Sequence, residues 1–377
     1  MVNILIYMTG SLGDTLVTLP ALWAIRDHWP KAVLTLVSDA SLQRRRVMPE
    51  EVLGGAGLVD RFLTYPASEG RSSARRKIES GWSLWRLLRR ERPDVLVWLV
   101  RAFSREPRIR RDLAFFRLAG VRKVVGCAPL SGLPRGAIDN GWPRWPHVSE
   151  LHLEQVKSGG VPVPPPGQGR MDLRLNVPDR LAFLAWRRGL PAEDNRPWVA
   201  FGIGSNRPST RWAPANYAEV GERLIREFNI CPIVFGGAGD RAGGAALVAR
   251  WGRGHVAAGR LSVRASAVAL QACGLYVGND TGIMHLAAAA GIRCVAVCSA
   301  RNPPGLWDPY GAGHVVLRAD VPCAGCGQHV CPKESTCLAS IQPDAVYAAC
   351  AQILEPATAG QRTRGAGGLI SAPFAGR

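Results

Sequence analysis

The feature that most limits what this chain can fold into is the stretch from Tyr276 to Gly291. A short apolar run, Gly274 to Val277, ends in Gly278-Asn279-Asp280-Thr281-Gly282; helix-forming residues follow until Gly291, and a second apolar run begins at Arg293. Strand, tight turn, helix, strand is the βαβ unit, which sets parallel strands side by side with helices covering the sheet. Asp280 or Thr281 can cap the helix by accepting a hydrogen bond from a free backbone N–H, and Gly282 lets another group come close to the main chain. Uncapped N–H groups and the positive end of the helix dipole suit a phosphate. An ordinary capped helix uses the same residues, so the stretch gains a function only from its company.

That company is the same pattern repeated along the chain. Residues 3–8 are apolar and run into Thr9-Gly10-Ser11-Leu12-Gly13-Asp14, and apolar spacing (Leu16, Leu19, Leu22, Trp23, Ile25) predicts one helix over 15–29 before a strand at 32–37. Gly-x-x-Gly is not the Gly-x-Gly-x-x-Gly of dinucleotide binders, which argues against a nicotinamide or flavin cofactor. Asp14 follows the first strand, at the strand ends where open α/β sheets bind ligands; a plain helix-capping Asp is the alternative. Further strands are expected at 61–65, 94–99 and 123–126. After the proline-rich residues 161–169 the pattern restarts at 198–205, with a strand at 231–235 leading to Asp240. The expected fold class is α/β: two doubly wound Rossmann-like domains, residues 1–165 and 196–356, joined by a linker at 166–195 and facing each other across a cleft. Residues 357–377, rich in Gly, Ala and Arg, read as a disordered tail.

Lys and Arg number 47 against 29 acids, a formal charge of +18. The excess is concentrated in residues 71–92 and 101–123, pointing to an acidic partner: nucleic acid, anionic membrane or phosphorylated substrate. The basic runs lack interleaved aromatic platforms and recognised nucleic-acid motifs, so nucleic acid is not favoured. No apolar run is long enough to cross a bilayer and the N-terminus lacks a basic leader segment, so a cytoplasmic location is expected. Six of the ten cysteines are scattered through apolar runs and read as small buried hydrophobes. The other four, Cys323, Cys326, Cys331 and Cys337, form a compact loop. Structural zinc or iron sites usually present two well-separated Cys-x-x-Cys pairs and here there is one, so no metal is assigned and a tetrathiolate site is the alternative.

Taken together, Gly10-Ser11-Leu12-Gly13-Asp14 with Thr18-Leu19-Pro20-Ala21-Leu22, Arg211-Trp212-Ala213-Pro214, Gly278 to Ala289 and Trp307-Asp308-Pro309-Tyr310-Gly311 resemble glycosyltransferase family 9, the bacterial ADP-heptose:lipopolysaccharide heptosyltransferases. The resemblance implies a GT-B fold, with acceptor bound in the N-terminal domain and a nucleotide sugar, ADP-heptose, in the C-terminal one. It implies an inverting transfer to the phosphorylated inner core of lipopolysaccharide, with Asp14 as general base and no cofactor beyond the donor. The donor set on this reading is Ser205, Thr210, Arg211, Asp240, Asp280, Thr281, Gly282 and His285; the acceptor set is Ser11, Gly13, Arg86, Arg89 and Arg90. Thr210 stands where many relatives carry a Lys, and Arg211 is expected to supply that charge. The basic runs would then serve an anionic acceptor at the inner membrane surface. The same fold acting on a protein or another glycan, a non-catalytic sugar-nucleotide binder, and a sugar-nucleotide 2-epimerase are the alternatives; the last needs acidic cleft groups that are not evident.

Overall fold

The computed structural model describes residues 1–41, 46–67, 74–100, 106–130, 133, 143–191 and 196–355. The expected tail at 357–377 and the basic residues Arg71, Arg101 and Arg105 lie outside the described residues.

The N-terminal domain is built on strands β1 (Asn3–Met8), β2 (Val33–Ser41), β3 (Arg61–Ala67), β4 (Val95–Leu99) and β5 (Lys123–Val125), in the order β3-β2-β1-β4-β5. Every pair is parallel, with Ile4 of β1 opposite Leu34 and Val95. A parallel sheet is covered on both faces, which is why β1 and β4 read as unbroken apolar runs. Ile4, Ile6 and Met8 pack to one side against the helix Leu19–His28, whereas Leu5 and Tyr7 pack to the other with Leu84, Leu88, Ile109 and Phe116 from the helices Ala74–Glu91 and Glu106–Leu118.

The C-terminal domain repeats the design with β6 (Trp198–Gly202), β7 (Cys231–Phe235), β8 (His255–Val256), β9 (Cys273–Asn279), β10 (Cys294–Val297) and β11 (Val315–Leu317), in the order β11-β10-β9-β6-β7-β8 and again parallel. In each sheet the strand order reverses once, between β1 and β4 and between β6 and β9. Such switch points open a crevice at the strand C-termini. Asp14 lies just beyond β1, Ser205 beyond β6 and Asp280 beyond β9.

The helix predicted over 15–29 is two helices, Leu12–Val17 and Leu19–His28. Thr18 separates them, its hydroxyl donating to the Thr15 carbonyl at 2.7 Å. Pro20 has no N–H to continue the ladder and sits in the first turn of the second helix, where none is needed. Within the expected linker, residues 166–176 are irregular; an Asn176–Asp179 capping box then starts the helix Val177–Arg188. That helix packs on the helix Val263–Gln271 of the C-terminal domain. Arg264, 6% exposed, fixes the junction by donating to the Val52, Leu173 and Arg174 carbonyls and pairing with Asp179 at 2.7 Å. A second junction runs along residues 145–148, where Trp145 and Val148 N–H groups donate to the Pro304 and Leu306 carbonyls.

Candidate functional site

Asp14 is the third residue of its helix, and its carboxylate accepts the Ser11 N–H at 2.9 Å. The capping geometry and the position at the strand end are therefore both present. The carboxylate folds back over Gly10, whose φ is +130° and where any Cβ would overlap the Asp14 carboxyl group. The Gly10 N–H donates to Asp39 at the end of β2 (3.0 Å), and Asp39 pairs with Arg46 at 3.2 Å. The turn is thus pinned from the neighbouring strand, by a carboxylate that sequence reading passed over.

The helix Gly282–Ala289 faces this turn from the other domain. A Cβ at Gly282 would lie 2.9 Å from Leu12, and one at Gly13 would lie 3.3 Å from the His285 ring. The close approach that Gly282 permits is therefore to the Asp14 turn itself. Thr281 occupies the N-cap position but makes no side-chain capping bond, so the N–H groups of the first turn are not consumed by a side-chain cap. His285 is 3% exposed, packed between the Gly13 turn, His147 and Trp307, with no partner on Nδ1 among the described residues. Burial lowers its pKa to about 3, so it stays neutral.

Asn279 organises the donor side. Fully buried, it accepts the Trp212 N–H (3.0 Å) and the Tyr217 hydroxyl (2.8 Å) and donates to the Ile203 carbonyl (2.8 Å), tying the ends of β6 and β9 to the Arg211-Trp212 segment. Ser205, Thr210 and Arg211 come together in one loop: Thr210 Oγ1 meets Ser205 Oγ at 2.7 Å, and Arg211 Nε donates to the Ser205 carbonyl at 2.8 Å. Thr210 is only 2% exposed and also donates to the Arg207 carbonyl, so it braces the loop. The guanidinium groups that pull most strongly on Asp280 are those of Arg318, Arg207 and Arg301, none of them anticipated from the sequence. Burial pushes the Asp280 carboxyl up from 3.8 to about 6 against the pull of those three charges. Arg318 pairs with buried Asp308 at 2.7 Å, while burial and the nearby charge of Arg207 depress the pKa of Arg301. Cations held close to one another beside an uncapped helix end are electrostatically suited to an added anion.

Asp240 repeats the arrangement of Asp14 in the second domain. Its carboxylate accepts the Gly237 N–H at 2.8 Å and lies over Gly204 and Gly236, where any Cβ would strike it. It therefore sits between the ends of β6 and β7.

The four clustered cysteines line one cavity of about 20 Å³ together with Ser209, Arg301 and Lys333. Among the described residues, no three His, Cys, Asp or Glu side chains are arranged to hold a metal ion. The loop does have a mechanical part: Arg301 donates to the Gly327 and Gln328 carbonyls at 2.7 and 3.0 Å, and Ser209 Oγ donates to the latter at 2.8 Å. The remaining six cysteines are buried, as expected. Arg86 and Arg90 line a separate cavity of about 360 Å³ with Thr64, Tyr65, Pro66 and Ser83; neither Asp14 nor Gly13 lines it. Arg89 sits on the same helix, its guanidinium 5.6 Å from the Trp85 ring centroid.

A family model, glycosyltransferase family 9 (heptosyltransferase), matches residues 172–336. Lipopolysaccharide heptosyltransferase 1 of Pseudomonas aeruginosa is 30% identical over 145 residues, 38% of this chain and 40% of that protein. Lipopolysaccharide heptosyltransferase 2 of Escherichia coli K12 is 32% identical over 114 residues, 29% of this chain and 32% of that protein. These matches span less than half the length of the curated relatives. The fold matches over far more: E. coli ADP-heptose lipopolysaccharide heptosyltransferase II superimposes with a TM-score of 0.65 at 19% identity, covering 93% of this chain and 98% of that one. A family 9 glycosyltransferase from Veillonella parvula gives 0.69 at 21% identity, covering 93% and 97%. These structures show the GT-B arrangement of two facing parallel-sheet domains. The family model thus matches the C-terminal part of the chain, and over 93% of its length the chain shares the fold of these two solved structures.

Proposed function

We propose that this protein is an inverting glycosyltransferase that moves heptose, or a related sugar, from ADP-heptose to the phosphorylated inner core of lipopolysaccharide. The single observation that carries the reading is the facing of the Asp14 turn and the Gly282–Ala289 helix start across the two switch points, with Arg207, Arg301 and Arg318 acting on Asp280 beside them. An acceptor hydroxyl attacks the anomeric carbon while the Asp14 carboxylate takes its proton. The new C–O bond forms as the bond to the diphosphate breaks, and the leaving group departs with the electron pair. First-turn N–H groups and the arginines stabilise that charge where it develops. Asp240, between the ends of β6 and β7, takes ribose hydroxyls. The basic N-terminal helices serve the anionic acceptor at the cytoplasmic side of the inner membrane; among the described residues no helix is long and apolar enough to cross one.

The test is incubation with ADP-heptose and a heptose-deficient lipopolysaccharide core, followed by mass spectrometry and anomeric NMR of the product. The account expects one added heptose with inverted configuration. Donor binding without transfer to any core would overturn it in favour of a sugar-nucleotide binder, and transfer only to a protein or another glycan would overturn the acceptor assignment.

A further inference from the structure

The loop that carries Cys323, Cys326, Cys331 and Cys337 has no role in the transfer proposed above, yet it is strapped to the cationic side of the cleft. The Gly325 and Gly327 N–H groups donate to the Ala300 and Arg301 carbonyls at 2.7 and 2.9 Å. In return Arg301 donates to the Gly327 and Gln328 carbonyls. Ser209 donates to the Gln328 carbonyl from its hydroxyl (2.8 Å) and to the His329 carbonyl from its N–H (3.3 Å). The residues just beyond Cys326 therefore hold Arg301, one of the cations pulling on Asp280.

The four thiols differ in setting. Cys337 is buried in the apolar core with Trp212 and Leu338. Between Cys326 and Cys331 run the carbonyls that hold Arg301 and Ser209, so a bond there competes with those ties. Cys323 and Cys326 are separated only by Ala324 and Gly325 on a turn, with the Ala324 N–H on the Val321 carbonyl at 3.0 Å and Gly325 at φ +72°. A turn brings α-carbons three residues apart to within about 7 Å, close to the span a disulfide bridges. Cys326 is exposed and Cys323 half-buried, and both line the 20 Å³ cavity, room for about one water, with Arg301 and Lys333. An accessible thiol beside cations is the setting of a reactive cysteine. Burial instead raises the thiol pKa of Cys127, Cys273, Cys294, Cys298 and Cys350, which keeps them protonated and inert. Among the described residues no three metal-binding side chains are grouped for an ion, which leaves the pair to thiol chemistry.

We propose that Cys323 and Cys326 are a thiol–disulfide pair oxidised by peroxide, and that closing it steadies the loop that holds Arg301. The Cys326 thiolate attacks a peroxide oxygen; the O–O bond breaks, and hydroxide leaves with the electron pair and becomes water on taking up a proton. The Cys323 sulfur then attacks the Cys326 sulfenic acid; the S–S bond forms as the S–O bond breaks, and a second water leaves. Two thiols are oxidised to one disulfide and the peroxide is reduced to two waters. A dithiol reductant reverses the step by exchange. The closed turn has fewer open forms to visit, so the carbonyls at 327–329 stay on Arg301 and Ser209 and the cationic wall is better organised for a nucleoside diphosphate. That last consequence rests on the transferase reading; the bond and its effect on the loop do not.

The experiment treats the reduced full chain with hydrogen peroxide, alkylates the remaining thiols and maps them by mass spectrometry. The expected result is a Cys323–Cys326 bond that dithiothreitol reopens, that Cys323→Ser and Cys326→Ser abolish, and that Cys331→Ser retains. On oxidation, hydrogen exchange across residues 205–212, which includes the Ser209 N–H, should slow about threefold, and ADP affinity by calorimetry should rise about threefold. Neither should change in Cys323→Ser. No bond, a bond between other cysteines, or stoichiometric zinc or iron shielding all four thiols would overturn the pair. Exchange that stays the same or speeds up would overturn its action on the loop. A chain that closes the bond and slows exchange but binds no ADP in either state would refute the donor reading and leave this one standing.

Discussion

Replacing Asn279 by alanine should unfold the donor side of the cleft out of proportion to the size of the change. The amide is completely buried and makes three bonds of 2.8–3.0 Å, to the Trp212 N–H, the Tyr217 hydroxyl and the Ile203 carbonyl. At about 1 kcal/mol each the bonds account for roughly 3 kcal/mol. Alanine also leaves the Trp212 N–H and Tyr217 hydroxyl unpaired in a dry interior, which raises the total to about 3–5 kcal/mol. Tyr217→Phe removes one of the two donors and leaves Asn279 bonded to Trp212, so its cost should stay near 1 kcal/mol. Urea unfolding followed by tryptophan fluorescence, with ADP binding measured by calorimetry, checks both. A loss below about 1 kcal/mol for Asn279→Ala, or equal losses for the two variants, would refute the assignment of Asn279 as the tie between β6, β9 and the Arg211-Trp212 segment.

Three more outcomes follow from the same geometry. Asp280 is held at about 6, above its ordinary 3.8, so the stability it contributes is fully present below 3.8 and lost as pH rises through 6. An anionic donor adds to the repulsion, so ADP affinity should fall about three- to tenfold as pH rises through 6, and Asp280→Asn should flatten that profile in calorimetry. Gly10→Ala places a Cβ inside the Asp14 carboxyl group at φ +130°; it should cost about 1–3 kcal/mol and depress kcat more than donor affinity. Arg264→Met leaves Asp179 charged and nearly buried and should cost about 3–5 kcal/mol, with Arg264→Met/Asp179→Leu recovering much of the loss in thermal unfolding.

What the sequence made legible were features written locally. Runs of apolar residues in β1, β6, β7 and β9 announce a parallel sheet, and the glycine turns after them place Asp14, Ser205, Asp240 and Asp280 at strand ends without any three-dimensional information. The break at Thr18 was missed because apolar spacing continues across it, and only the Thr15 carbonyl bond and Pro20 end the first helix. Asn279 was read as a turn residue; its partners lie at positions 203, 212 and 217, joined to it only when β6 and β9 pair. Arg207, Arg301 and Arg318 carry no periodicity and are gathered by three separate strand ends, so nothing local distinguishes them from other arginines. Thr210 looked like a gap in a phosphate site, whereas in the structure it is a buried brace and nearby cations come from elsewhere. The basic run at 71–92 reads as charge in the sequence; which of its side chains face outward is settled only once Leu84 and Leu88 fix the side against the sheet.

On the proposed function, Asp14 and the helix beginning at Gly282 form one catalytic cleft, with the base on one domain and the leaving-group site on the other. The most direct measurement is acceptor-dependent release of ADP from ADP-heptose by the wild type and by Asp14→Asn, with the donor Kd determined for each. The account predicts that Asp14→Asn binds donor within a few-fold of wild type and loses at least about a hundredfold in turnover, the scale of a missing general base. Turnover within a few-fold of wild type in Asp14→Asn would contradict it.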